Sequence, residues 1–124
     1  MVVLVVDDSE ADRALYRAVL ESAGYTVLLA DGGERIEEIC RESRPDVILL
    51  DGMLPNTDGF AMCRALRKQP DFADTPILIL SGLDEDEATV RAIEAGADGF
   101  VPKAGDWKPL LSAIKAIEAD AARS

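Results

Sequence analysis

Five short apolar runs constrain this chain more than any other feature: Val2 to Val6, Thr26 to Leu29, Val47 to Leu50, Ile77 to Leu80 and Gly99 to Pro102. Continuous rather than alternating hydrophobicity over four or five residues is the pattern of a strand buried on both faces. The segments between them carry helical spacing, as in Ala14, Leu15, Ala18 and Val19, or Val90, Ile93 and Ala97. After the last run come Leu110, Leu111, Ile114 and Ile117. The alternation predicts a (βα)5 chain, hence right-handed crossovers and a five-stranded parallel sheet covered on both faces. The expected fold class is α/β, a doubly wound three-layer sandwich. Gly24, Pro45 and Gly96 punctuate the segments, and Ser9 and Asp84 are the expected helix caps.

The 124 residues read as one domain, 1–124, with residues 119–124 expected to form a weakly ordered tail. Twenty-four acidic against thirteen basic residues give a net charge of −11, which disfavours direct binding to nucleic acid or anionic lipid. No apolar run approaches the roughly 20 residues that span a bilayer, and no leader pattern opens the chain, so a cytoplasmic protein is expected. Cys40 and Cys63 lack metal-ligand spacing and read as buried thiols. The chain has no histidine, which excludes a Ser-His-Asp triad and phosphohistidine on the chain itself.

In open parallel sheets the functional crevice lies beyond the carboxyl ends of the strands. There the sequence places Asp7 and Asp8 after the first run, Asp51 after the third, Ser81 after the fourth and Lys103 after the fifth. Each has a plainer account alone: Asp8 as a helix cap, Asp51 and Ser81 as turn residues, Lys103 as a solvated charge. Together they form a constellation. Two unit charges about 4 Å apart repel by roughly 4 kcal/mol at an effective dielectric near 20, so the paired acids call for a cation. Mg²⁺ suits a set of hard oxygens and leaves ligand positions for phosphoryl oxygens, which Lys103 and Ser81 can also hold. The residues thus point to phosphoryl transfer, with a carboxylate as acceptor.

The acidic pair, "PDVILLDGMLPNTDGF" around Asp51, "PILILSG" with Ser81 and "GADGFVPK" ending at Lys103 resemble, in order and interval, the response-regulator receiver domains (CheY-like) of two-component signalling. The resemblance covers essentially the whole chain. It implies strand order 2-1-3-4-5 and makes Asp51 the nucleophile that takes phosphoryl from a sensor histidine kinase, a phosphotransfer protein or a small acyl phosphate. It implies that Asp8, Asp51 and the backbone carbonyl of Met53 ligate Mg²⁺ directly, while Asp7 acts mostly through water, with no other cofactor. Ser81 would bind the phosphoryl group and, with Phe100, form the switch; Lys103 would form a salt bridge to it. The implied output surface is helix four, strand five and helix five, including Val90, Arg91, Phe100 and Trp107, facing an output domain, a target protein or a second copy of the chain. A module of this kind is a signalling domain rather than a conventional enzyme, catalysing only its own phosphorylation and dephosphorylation.

The sequence departs from the family pattern in three places. Lys103 is followed by Ala104 where proline is usual, so a cis bond, costing about 2.5–4 kcal/mol without proline, is not expected there. Phe100 lacks the hydroxyl of a tyrosine switch. Met53 and Leu83 are apolar at positions that could orient water, which predicts slow self-dephosphorylation. Rival readings fit less well. A haloacid-dehalogenase-type phosphatase needs an acid at Met53, and a flavodoxin-like carrier needs a Gly- and Ser-rich loop where "DDSEAD" stands. A receiver that docks partners without phosphorylation is the alternative suggested by the altered loop after Lys103. The Trp four residues beyond that lysine is weakly similar to receivers joined to cyclic-dinucleotide enzymes.

Overall fold

The computed structural model describes residues 1–32, 36–54, 57–103 and 106–123. The five strands are β1 (Val2–Val6), β2 (Thr26–Ala30), β3 (Val47–Asp51), β4 (Ile77–Ser81) and β5 (Gly99–Pro102). The helices are α1 (Glu10–Ser22), α2 (Ile36–Ser43), α3 (Gly59–Arg67), α4 (Glu85–Ala95) and α5 (Lys108–Arg123), with a short 3-10 turn at Pro70–Phe72. All strand pairs are parallel and the sheet order is β2-β1-β3-β4-β5, as expected. β3 and β4 are buried at every position because both sheet faces are covered. On one face Leu4, Ile48, Leu50 and Ile79 pack with Phe60, Cys63, Leu66 and Ala92 of α3 and α4. On the other, Val3, Val5, Leu49 and Leu80 pack with Leu20 of α1 and Leu110 and Ile114 of α5.

Local signals hold where the chemistry demands them. Ser9 Oγ accepts from the Asp12 amide at 3.2 Å, and an Asp84 carboxylate oxygen accepts from that of Glu87 at 3.0 Å, so these residues cap α1 and α4. Gly96 caps the C-terminus of α4 at φ 80°, in the left-handed region. Strand ends differ slightly from expectation: Asp51 and Ser81 are the last residues of β3 and β4 rather than the first of the loops. The expected tail continues α5 through Arg123 and is exposed from residue 118 onward. The peptide bond after Lys103 involves Ala104 and lies outside the described residues. Cys40 and Cys63 are free and buried, and burial pushes the Cys40 thiol up to about 11. Among the described residues, no helix is long and apolar enough to cross a membrane.

The end of the sheet opposite the acids is closed by Arg67. Its guanidinium donates to the carbonyls of Gly96 at 2.8 Å, Phe72 at 2.9 Å and Thr75 at 2.5 Å. It also bonds Asp98 Oδ2 at 2.8 Å, and that oxygen accepts the Ile77 amide at 2.7 Å. One side chain thus joins α3, the end of α4 and the start of β4. Arg67→Met, which keeps the apolar stem, is expected to cost about 2–3 kcal/mol, read as a lower urea midpoint at unchanged slope.

Candidate functional site

β1 is an uninterrupted apolar strand, and it delivers Asp7 directly into buried surroundings. Asp7 is 0% exposed, whereas the adjacent Asp8 faces solvent. The Ser9 amide donates to Asp7 Oδ1 at 2.9 Å, the Asp7 amide donates to the Ala30 carbonyl at 3.1 Å, and Arg13 donates to the Asp7 carbonyl at 2.7 Å. Asp7 Oδ2 is buried and has no hydrogen-bond partner among the described residues. Burial, reinforced by the charges of Asp51 and Asp12, holds the Asp7 carboxyl above its ordinary value despite the opposing Ser9 amide and Lys103.

The C-terminal residue of β3 brings in the second buried acid. Asp51 is 2% exposed, and its Oδ1 accepts from Lys103 Nζ at 2.9 Å and from the Met53 amide at 3.0 Å. Burial alone would lower the Lys103 pKa, but the hydrogen bond and charge of Asp51, with Asp7 and Asp12, raise it. The ammonium is therefore fully charged at neutral pH. Asp7, Asp8 and Asp51 each offer a carboxylate oxygen, and these oxygens lie within 4.8 Å of one another. Three carboxylates face one ammonium, and one buried oxygen lacks any donor. A small hard cation satisfies both conditions, so the residues present fit Mg²⁺.

Ser81 ends β4 at 3% exposure, and its Oγ accepts from the Leu83 amide at 3.0 Å. Its carbonyl accepts the Lys103 amide at 2.9 Å, and the Gly52 amide bonds the Leu80 carbonyl at 2.8 Å, so the ladder itself sets the spacing of these residues. The Met53 side chain is 81% exposed beside the acids. Phe100, opposite Ile79 in register, is half-buried against the core that includes α3 and α4. Val90 and Ile93 of α4 point outward. Trp107, just before α5, lines a cleft with Val101, Pro102 and Lys103, and its ring meets Tyr16 of α1 edge-on at 5.5 Å.

Two residues near the acids were not anticipated. Arg13 holds the Asp7 backbone, and Tyr16 is buried, its hydroxyl pushed up to about 12 by burial and by Asp7, Asp12 and Asp51. Tyr16, Lys103, Asp106 and Trp107 line a cleft of about 280 Å³ beside the site. One helical turn separates Asp12 from Tyr16, so the spacing held the signal, but only the packing of α1 on β5 and α5 gives it meaning.

The family model for the response regulator receiver domain matches residues 3–115. The response regulator MprA of Mycobacterium ulcerans is 41% identical over 115 residues, 93% of this chain and 49% of its own. The chain spans about half the length of the curated relatives it matches. Among solved structures, the BeF3-activated N-terminal receiver domain of Klebsiella pneumoniae RstA superposes with a TM-score of 0.84 at 32% identity, covering 94% of this chain and 97% of that one. TrrA from Thermotoga maritima, solved in complex with Mg(2+)-BeF, gives a TM-score of 0.82 at 26% identity, covering 94% and 97%. Fold, site geometry and family match agree that the chain belongs to the response regulator receiver domains of two-component signalling.

Proposed function

We propose that Asp51 accepts a phosphoryl group from the phosphohistidine of a sensor histidine kinase or phosphotransfer protein, in a Mg²⁺-dependent step. The observation that carries this reading is the meeting of Asp7, Asp8 and Asp51 within 4.8 Å, with Lys103 bonded to Asp51, at the carboxyl edge of the sheet. Asp7, Asp8, Asp51 and the Met53 carbonyl would hold Mg²⁺. When bound, the ion supplies positive charge against the phosphoryl oxygens. An Asp51 carboxylate oxygen forms a bond to phosphorus while the P–N bond to the donor imidazole breaks, its electron pair staying on nitrogen, which takes a proton. Lys103 and the Met53 amide orient the carboxylate before attack, and Lys103 then neutralises the transferred group. Ser81 exchanges its bond from the Leu83 amide for one to the phosphoryl group, and Phe100 follows by burying more of its ring. The readout is the α4, β5 and α5 surface, offered to an output domain, a target protein or a second copy of this chain in the cytoplasm.

Incubation with acetyl phosphate and Mg²⁺ followed by intact-mass measurement tests the proposal. A single phosphoryl gain that disappears with chelator and in Asp51→Asn is the expected result. No gain, together with no response to beryllofluoride, would favour the phosphorylation-independent docking module. Because Met53 is exposed and apolar and Leu83 offers no polar side chain, neither can orient an attacking water. The phosphoryl group is therefore expected to persist well beyond seconds after removal of acetyl phosphate, and decay within seconds would contradict this.

A further inference from the structure

Arg91 lies on α4, yet its guanidinium reaches the loop that follows Asp51. Its Nη2 lies 3.4 Å from Asp58 Oδ2, and its Cζ stands 4.3 Å from the centre of the Phe60 ring. Both partners belong to the frame of the nucleophile. Asp58 caps α3 through Oδ1, which accepts the Ala61 amide at 2.6 Å, and pairs with Met53 in an antiparallel bridge. Phe60, 1% exposed, lies against Gly52, since a Cβ there would stand 3.2 Å from the Phe60 ring. At its other end, α4 begins four residues past Ser81, whose Oγ accepts the Leu83 amide. The helix is thus gripped from both sides of the site, by Ser81 at its start and by Arg91 at its middle.

We propose that Arg91 is a positioning residue that clamps α4 to the start of α3, so that a change at Asp51 reaches α4 through Asp58 and Phe60 as well as through Ser81. The cation over the ring and the ion pair on one guanidinium act together: a shift of the start of α3 cannot keep both contacts unless α4 follows. Arg91 touches neither acid cluster nor phosphoryl position, so its removal leaves the chemistry of Asp51 in place. The idea rests on the reading of Asp51 as phosphoacceptor, and its test separates the two.

Amide hydrogen exchange of α4 in the full chain, with and without Mg²⁺ and beryllofluoride, is the measurement. In Arg91→Met the resting α4 amides are expected to exchange about 3- to 10-fold faster, and the beryllofluoride-induced change in α4 is expected to fall by about half or more. Acetyl phosphate should still add one phosphoryl group. Arg91→Lys, which keeps the charge, should recover part of the loss. Asp58→Asn retains an α3 cap and should reproduce the resting effect, with the double variant no worse than either single one. Unchanged α4 exchange in Arg91→Met, or simple additivity of the two substitutions, would overturn the clamp. A wild type that takes neither acetyl phosphate nor beryllofluoride defeats the phosphoacceptor reading instead, and the resting-state comparison then decides the clamp alone.

Discussion

Gly59→Ala is expected to destabilise the domain by about 3 kcal/mol or more and to slow phosphorylation of whatever folds, although the residue is neither charged nor in a left-handed conformation. A Cβ at residue 59 would stand 2.1 Å from the Asp51 carbonyl oxygen and 2.8 Å from its carbonyl carbon. These are backbone atoms of the central strand, and they cannot rotate away as a side chain would. The Gly59 amide also donates to the Gly52 carbonyl at 3.1 Å, so α3 starts pressed against the end of β3. Any relief of the clash moves Asp51, and a displacement of about 1 Å at a reacting group can cost on the order of 100-fold in rate. Urea unfolding and the acetyl phosphate reaction check the two effects separately. Stability within about 1 kcal/mol of wild type, with an unchanged rate, would mean that the close approach is not a constraint on the fold.

Asp7→Asn is expected to act in opposite directions with and without Mg²⁺. Without the ion, the substitution removes a buried charge whose Oδ2 has no partner and which faces Asp51, so the variant should be more stable by about 1–3 kcal/mol. With the ion, the same substitution should weaken binding by about 10- to 100-fold, so the Mg²⁺-dependent rise in melting temperature shifts to higher concentration. The pH dependence follows from the raised Asp7 pKa. Above both the native value and the ordinary 3.8, the ionised wild-type side chain carries its full penalty and the variant's advantage is greatest. As pH falls through the native value toward 3.8, Asp7 protonates more readily in the folded state, and the advantage disappears. Melting curves of both proteins from neutral to acidic pH, in chelator and in Mg²⁺, make the comparison. An Asn variant less stable than wild type in chelator at neutral pH would contradict it.

The sequence was informative wherever burial or ladder position alone decides the outcome. Val47 to Leu50 is apolar at every residue because β3 is central, and that pattern is legible without coordinates. Once the strand ends are known, parallel pairing brings Asp7, Asp51, Ser81 and Lys103 to one edge. Arg67, Arg91 and Trp107 were not legible in the same way. Arginine carries its charged group at the end of a long flexible stem, so its position in the chain does not say which backbone carbonyls or rings it reaches. Trp107 lies one residue before α5, and its edge-on contact with Tyr16 depends on how α1 and α5 pack, which no spacing along the chain encodes. The 3-10 turn at Pro70–Phe72 likewise owes its form to Phe72 burying itself in the core.

Asp51 and Ser81 are the last rungs of their strands, not members of the loops beyond them. Their backbones are fixed by the amides of Gly52 and Lys103, which bond across to Leu80 and Ser81. The chemistry is therefore indifferent to much of the outer helical surface, where positions such as Glu94, Lys115 and Glu118 touch solvent. Such a chain can redraw its exterior one exposed residue at a time, while the acidic site at the end of its sheet keeps the same frame.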